Sequence, residues 1–138
     1  MLKIVLGVIA GFVAWSILWV GSDQVLMVSA PTWYGAHLLD MEMARVNQEP
    51  FAADTMILLF NLVRAVVVTI LSGFLAAFIA GENRKTPLIL GVLLLLVGIA
   101  FQTMYWNQIP IWYHLIFLGM LIPVTIVGAK LKQVPAIP

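Results

Sequence analysis

The chain has 138 residues, 63% of them hydrophobic and only 9% charged, with no cysteine and a net charge of +1. Soluble domains carry about 25% charged and about 45–50% apolar residues. With a mean hydropathy of +1.08, this composition excludes a soluble globule, a disordered tail and a nucleic-acid binder, which would need a basic face. Zero cysteines also exclude a disulfide, a thiol nucleophile and a zinc–thiolate site. The class that remains is a multi-pass membrane protein.

A bilayer crossing takes about 20 mostly apolar residues of helix. The first such run extends from Ile4 to about Val28, with no charge before Asp23. It is longer than the usual h-region of about 7–15 residues, and Pro31 would follow a cut after Val28-Ser29-Ala30, so a retained span is expected over a cleaved signal peptide. The loop after it, Ser29 to Asp54, carries Pro31, Trp33 and Tyr34, which suit a headgroup zone. Ala36–Val46 within it reads as a short helix lying on the membrane surface.

The second span runs from about Thr55 to Gly81 and contains one charge, Arg64. From Thr86 to Ala129 there is no Asp, Glu, Lys or Arg. As one helix that stretch would be roughly 66 Å long, about twice a hydrocarbon core of about 30 Å. It must fold back, and Asn107, Gln108 and Pro110 mark the turn, because proline ends a helix and disfavours one just before it. Spans three and four are therefore Pro87–Tyr105 and Ile111–Ala129, with a kink expected at Pro123. Continuous rather than alternating apolar runs favour helices over a barrel. The expected fold is all-α and integral to the membrane: a single domain of four transmembrane helices in an up-down bundle, with an outer loop of about 26 residues between the first two.

Basic residues orient the bundle. Lys3, Arg84, Lys85, Lys130 and Lys132 fall on one side if there are four crossings, whereas the other side holds Arg45 beside Asp40, Glu42, Glu49 and Asp54. Both termini are expected to be cytoplasmic and the long loop outside, in a bacterial inner membrane. Three or five spans would split the basic set.

Ionisable groups within a bilayer are costly and are functional candidates by default. Measured along their helices from the cytoplasmic ends, Arg64 lies about 25 Å up, Asp23 about 28 Å, and Gln102 and His114 about 22 Å each. Asn61 lies one turn from Arg64 on the same face, and Trp15, Trp19, Ser22 and Asp23 share a face of span one. Asp23, Asn61, Arg64, Gln102 and His114 thus form a candidate polar pocket facing outward. The alternative is structural. Arg64 pairs with Asp23 to lock the bundle, or snorkels to the interface, while Gln102, Asn61 and His114 act as interhelical hydrogen-bonding residues. Trp33, Trp106, Trp112, Tyr105 and Tyr113 fit an aromatic belt; Trp15 and Trp19 lie deeper, as packing or lipid-contact residues. His37, Asp40 and Glu42 in the outer loop could suggest a metal, and His37 and Asp40 share a helical face, but they are too few ligands for a recognisable site, and no cofactor is expected. No serine has a histidine and an acid arranged around it in a nucleophile-elbow or triad spacing.

Gly7 and Gly11 form a GxxxG, and Gly73, Ala77 and Gly81 a small-residue ladder, both suited to close helix packing. At about 100° per residue, Gly73 lies opposite Arg64, so the two faces of span two meet different neighbours. These are other helices of a compact bundle, or else a second protomer or partner subunit.

Three stretches carry a resemblance: Gly11-Phe12-Val13-Ala14-Trp15-Ser16 with Leu18-Trp19, then Ser72-Gly73-Phe74-Leu75-Ala76-Ala77, and Ile109-Pro110-Ile111-Trp112-Tyr113-His114 followed by Pro123. Together they resemble small bacterial four-span membrane proteins, a resemblance that implies location and topology and no catalytic residue. The sequence is thus read as a small inner-membrane protein without catalytic activity, an accessory, structural or self-associating subunit in the lipid bilayer. The alternative reading is binding of a small anion, lipid headgroup or amphiphile around Arg64, with transport disfavoured by the apolar cytoplasmic half.

Overall fold

A computed structural model describes residues 1–132. Among them are five α-helices: α1 (Leu2–Ser29), α2 (Ala36–Val46), α3 (Thr55–Ala80), α4 (Lys85–Met104) and α5 (Ile111–Lys130), with a π-helical turn at Pro31–Gly35 before α2. Four of them, α1, α3, α4 and α5, are long and apolar enough to cross a membrane. Each lies within two residues of an expected span, the usual scatter of helix ends. The short helix of the loop occupies the expected Ala36–Val46.

Local chemistry sets the ends. The Ala30 N–H closes α1 on Leu26 O, and Pro31 then opens the π turn. The Asp54 carboxylate accepts the Met56 N–H at 2.9 Å and starts α3. Gly81, at φ 69°, ends α3 in the left-handed conformation that glycine adopts without strain. The Glu82 carboxylate then collects the N–H groups of Arg84, Lys85 and Thr86, the free donors at the start of α4. Pro110 precedes α5, which runs on through Pro123.

In lipid the helices gain little from hiding apolar surface, so close contact and hydrogen bonding hold them together. A Cβ on Gly7 would meet Ala76 O at 2.5 Å, and one on Gly11 would meet the Leu90 side chain at 2.7 Å, so α1 lies tight against α3 and α4. Gly73 abuts the Thr125 carbonyl, and Gly128 the Ile70 carbonyl, so α3 and α5 run antiparallel with their backbones nearly touching. Gly91 packs on Ile122 and Gly98 on Leu121, joining α4 to α5. Leu90, Leu94, Leu121 and Phe117 fill the centre. The outward faces are apolar too, with Ile17, Val63, Leu96 and Leu115 each more than 60% exposed, as a bilayer requires.

One detail departs from the sequence reading: Gly81 is not a packing residue, because a side chain there meets nothing within 4 Å; its role is the turn. Of the two alternatives for the faces of α3, the contacts are those of a compact bundle, Gly73 against α5 and Arg64 against α1.

Helix α2 covers one end of the bundle. Tyr105 donates to Glu42 at 2.7 Å, the Arg45 guanidinium lies 5.4 Å from the centre of the Tyr105 ring, and Gln108 donates to Glu49 O at 3.3 Å. At the opposite end Asn83 donates to Lys132 O at 3.0 Å.

Candidate functional site

Arg64 projects from α3 toward α1 and is surrounded by acceptors. Its Nη2 lies 2.7 Å from Asp23 Oδ1 and donates to the Tyr34 hydroxyl at 3.0 Å and to Asn61 Oδ1 at 3.1 Å. Its Nη1 donates to Ser22 Oγ at 2.8 Å and to Trp19 O at 3.3 Å. The flat guanidinium sits 4.0 Å from the centre of the Trp19 ring, a cation–π contact. Nε is enclosed and has no partner among the described residues. The side chain is 9% exposed, and its charge is held by one carboxylate, three polar side chains, a carbonyl and an aromatic face.

Tyr34 completes this cluster and was invisible as a site residue in the sequence, where it reads as a headgroup-zone aromatic. The π turn tucks it inward until it is fully buried, with its hydroxyl donating to Asp23 Oδ1 at 2.5 Å. Burial, reinforced by the Asp23 carboxylate, pushes its phenol well above the ordinary range, so the proton stays in place. No motif marks such a residue; the signal available was a tyrosine three residues beyond a proline that ends a span.

Gln102 and His114 form a second group. The His114 Nδ1 lies 2.5 Å from Gln102 Oε1 and Nε2 lies 3.3 Å from Trp106 O, while the imidazole stacks on the Trp106 ring at 4.5 Å. His114 is fully buried, and both ring nitrogens face protein acceptors. The five expected pocket residues therefore divide. Asp23, Asn61 and Arg64 meet directly, Gln102 faces the same space from α4, and His114 stands behind it as Gln102's support and does not line the pocket.

That space is a cavity of about 500 Å³ between the halves of α1 and α4 nearest α2. Asn61 and Arg64 of α3 and Tyr113 and Phe117 of α5 form its back, and Leu38 and Met41 of α2 its roof. Phe12, Trp15 and Trp19 line the α1 side; Val97, Gly98, Phe101 and Gln102 line the α4 side. Trp15 and Trp19 stack at 5.7 Å, and Trp15 is fixed by donating to Thr69 Oγ1 at 3.1 Å. Tyr113, expected in the interfacial belt, is instead 3% exposed and part of the cavity wall. Val20 and Phe101 line the cavity and are each 55% exposed, so its mouth lies on the lateral seam between α1 and α4.

His37, at the end of the bundle, accepts the Asp54 N–H on Nε2 at 3.0 Å and packs edge-on to Phe51. Among the described residues no three His, Cys, Asp or Glu side chains gather as metal ligands.

Comparison with protein-family models, curated proteins and solved structures gives no match. The functional reading therefore rests on the chemistry of this chain.

Proposed function

We propose that this is an inner-membrane protein of four up-down helices, with cytoplasmic termini, that binds a lipid-like amphiphile in the cleft between α1 and α4 and carries out no reaction on it. The observation that carries this reading is the cavity itself. About 500 Å³ lies within the range of small-molecule sites, which are typically apolar with a few convergent polar groups. Its long walls are aromatic and aliphatic apart from Ser16, whose hydroxyl is turned to Phe12 O, and its charged groups gather at one end. An amphiphile has the same division. The lateral mouth suits a ligand arriving from lipid rather than from water.

Binding is favoured over catalysis by how the hydroxyls are spent. Ser16, Ser22 and Ser72 donate to the backbone carbonyls of Phe12, Trp19 and Val68. A nucleophile needs a base to take its proton, and these hydroxyls point theirs at their own helices. The Arg64–Asp23 pair is the lock that holds α1 on α3, and the ligand space lies beside it.

Native mass spectrometry of the protein extracted gently from its membrane tests the reading. The expected result is a retained amphiphile mass that Val97→Phe removes, because a larger side chain on that wall fills the cleft without touching Arg64. Absence of any retained mass, or equal retention by Val97→Phe, contradicts it.

A further inference from the structure

From the donors and acceptors of the Arg64–Asp23 pair at the polar end of the cleft we infer that the ligand's polar group is neutral and donates a hydrogen bond, as an alcohol does, and is neither an anion nor an ammonium. This deepens the binding reading above and rests on it.

An arginine in a membrane cavity first points to an anion, because its fork matches carboxylate and phosphate. Here the fork is occupied. Both Nη atoms already donate to Asp23, Tyr34, Asn61, Ser22 and Trp19 O. One face of the guanidinium is against the Trp19 ring, and Nε is enclosed. No Arg64 donor is free to face the cavity. To pair with Arg64 an incoming anion would have to displace Asp23 and leave that carboxylate uncompensated in a low-dielectric site, which is costly, and the neutral donors on the wall, Tyr113 and Gln102, supply no charge to offset it.

The free group is on the other partner. Asp23 Oδ1 takes both Arg64 and Tyr34, whereas Oδ2 has no partner among the described residues. The Asp23 side chain is 26% exposed and lines the cavity. The opening therefore presents a carboxylate oxygen, an acceptor that calls for a donor. An ammonium would satisfy it, but Arg64 already neutralises Asp23, so a second cation would leave a net positive charge uncompensated in a low-dielectric site, a cost that cation–π contact offsets only in part. A hydroxyl supplies the proton without adding charge. The tail then lies along Trp15 and Phe117, away from the pair.

Three probes of equal chain length separate the possibilities: 1-hexadecanol, hexadecyl phosphate and hexadecylamine, added at pH 7 to the purified full chain and read as retained mass. The wild-type protein is expected to retain the alcohol about tenfold better than either charged probe, a preference worth about 1.4 kcal/mol. In Asp23→Asn the Arg64 charge loses its counter-ion, and retention of the phosphate is expected to rise above that of the alcohol. The double variant Asp23→Asn with Arg64→Gln restores neutrality, and the alcohol preference returns. Wild-type preference for the phosphate or the amine, abolished by Val97→Phe, overturns the headgroup assignment and leaves the cleft reading standing. Retention of none of the three by the wild-type protein removes both. The wild-type comparison alone decides the matter if the variants do not fold.

Discussion

At the scale of single residues, Tyr34 shows how a loop side chain sets the geometry of a buried ion pair. Its hydroxyl joins Asp23 of α1 and Arg64 and Asn61 of α3, so one phenol touches both helices from the turn that connects α1 to α2. Tyr34→Phe keeps the ring and removes that junction. A lost buried hydrogen bond that leaves its partners unsatisfied costs about 1–3 kcal/mol. The variant is therefore expected to unfold earlier on heating in detergent, and to bind an amphiphile in the cleft more weakly because Asp23 is held by one contact fewer. Equal thermal stability of Tyr34→Phe and wild type would remove Tyr34 from the cluster's support. Arg64 and Asp23 were legible in the sequence because a charge within an apolar run has few tolerable surroundings, and Asn61 because it lies one turn away. Tyr34 was not, since an aromatic residue beside a span end fits a headgroup zone equally well. His114 was legible as polar and buried, but nothing in periodicity tells a residue that lines a cavity from one that steadies its neighbour.

At the scale of elements, glycine placement and one capping carboxylate govern how the helices join. Gly73 and Gly128 are where α3 and α5 bring backbone against backbone. Gly73→Ala forces a methyl into the Thr125 carbonyl, an overpacking expected to cost about 1–3 kcal/mol. Gly119→Ala, with nothing within 4 Å, is the contrasting case. A helix-interior alanine gains about 0.5–1 kcal/mol over glycine, so that variant is expected to hold or raise the melting temperature. Gly7, Gly11 and Gly73 stand out in the sequence because they recur at helical spacing with other small residues. Gly128 has no such partner, and its tight contact with Ile70 exists only once α5 has been laid on α3. Gly81 fits the ladder by spacing but belongs to the turn, because the helix ends there. Glu82, just beyond it, is partly buried, which raises a carboxyl's pKa, but hydrogen bonds from the Thr86 hydroxyl and three backbone N–H groups prevail and hold it at about 2, against an ordinary value of 4.5. A folded-state pKa below the unfolded one gives stability that is complete above the unfolded value and is lost as pH falls through the folded one. Glu82 thus stabilises the start of α4 above about pH 4.5 and ceases to do so as the pH drops toward 2. Glu82→Gln is expected to cost about 1 kcal/mol at neutral pH, as a lost N-terminal cap does, and to flatten the decline in melting temperature over that acid range. An unchanged acid decline in Glu82→Gln would assign the pH dependence to other carboxylates.

At the scale of the whole molecule, the basic residues and the topology divide the bundle into the same two ends. Antiparallel packing of α1 on α3 and of α3 on α5 brings the start of α1, the α3–α4 turn and the end of α5 to one end, where Asn83 meets Lys132. Lys3, Arg84, Lys85, Lys130 and Lys132 all belong to that end, and Arg45 with its acidic neighbours belongs to the end under α2. A bilayer sorts such ends by their lysine and arginine content, retaining the richer one in the cytoplasm. In the orientation we propose on that basis, the cleft lies in the outer leaflet, with its lateral mouth open to lipid and its α2 roof toward the outside. Because the chain has no cysteine, a single introduced thiol reports its side without background. Asp40→Cys lies at an exposed position of α2, and Leu131→Cys, at a residue 60% exposed, lies just beyond α5. In intact cells a membrane-impermeant maleimide is expected to label the first and spare the second until the membrane is broken. The reverse pattern would turn the bundle over, moving the cleft to the inner leaflet and its ligand supply to lipids that face the cytoplasm. Labelling of both in intact cells would contradict a single fixed orientation, and with it the inference from the basic residues.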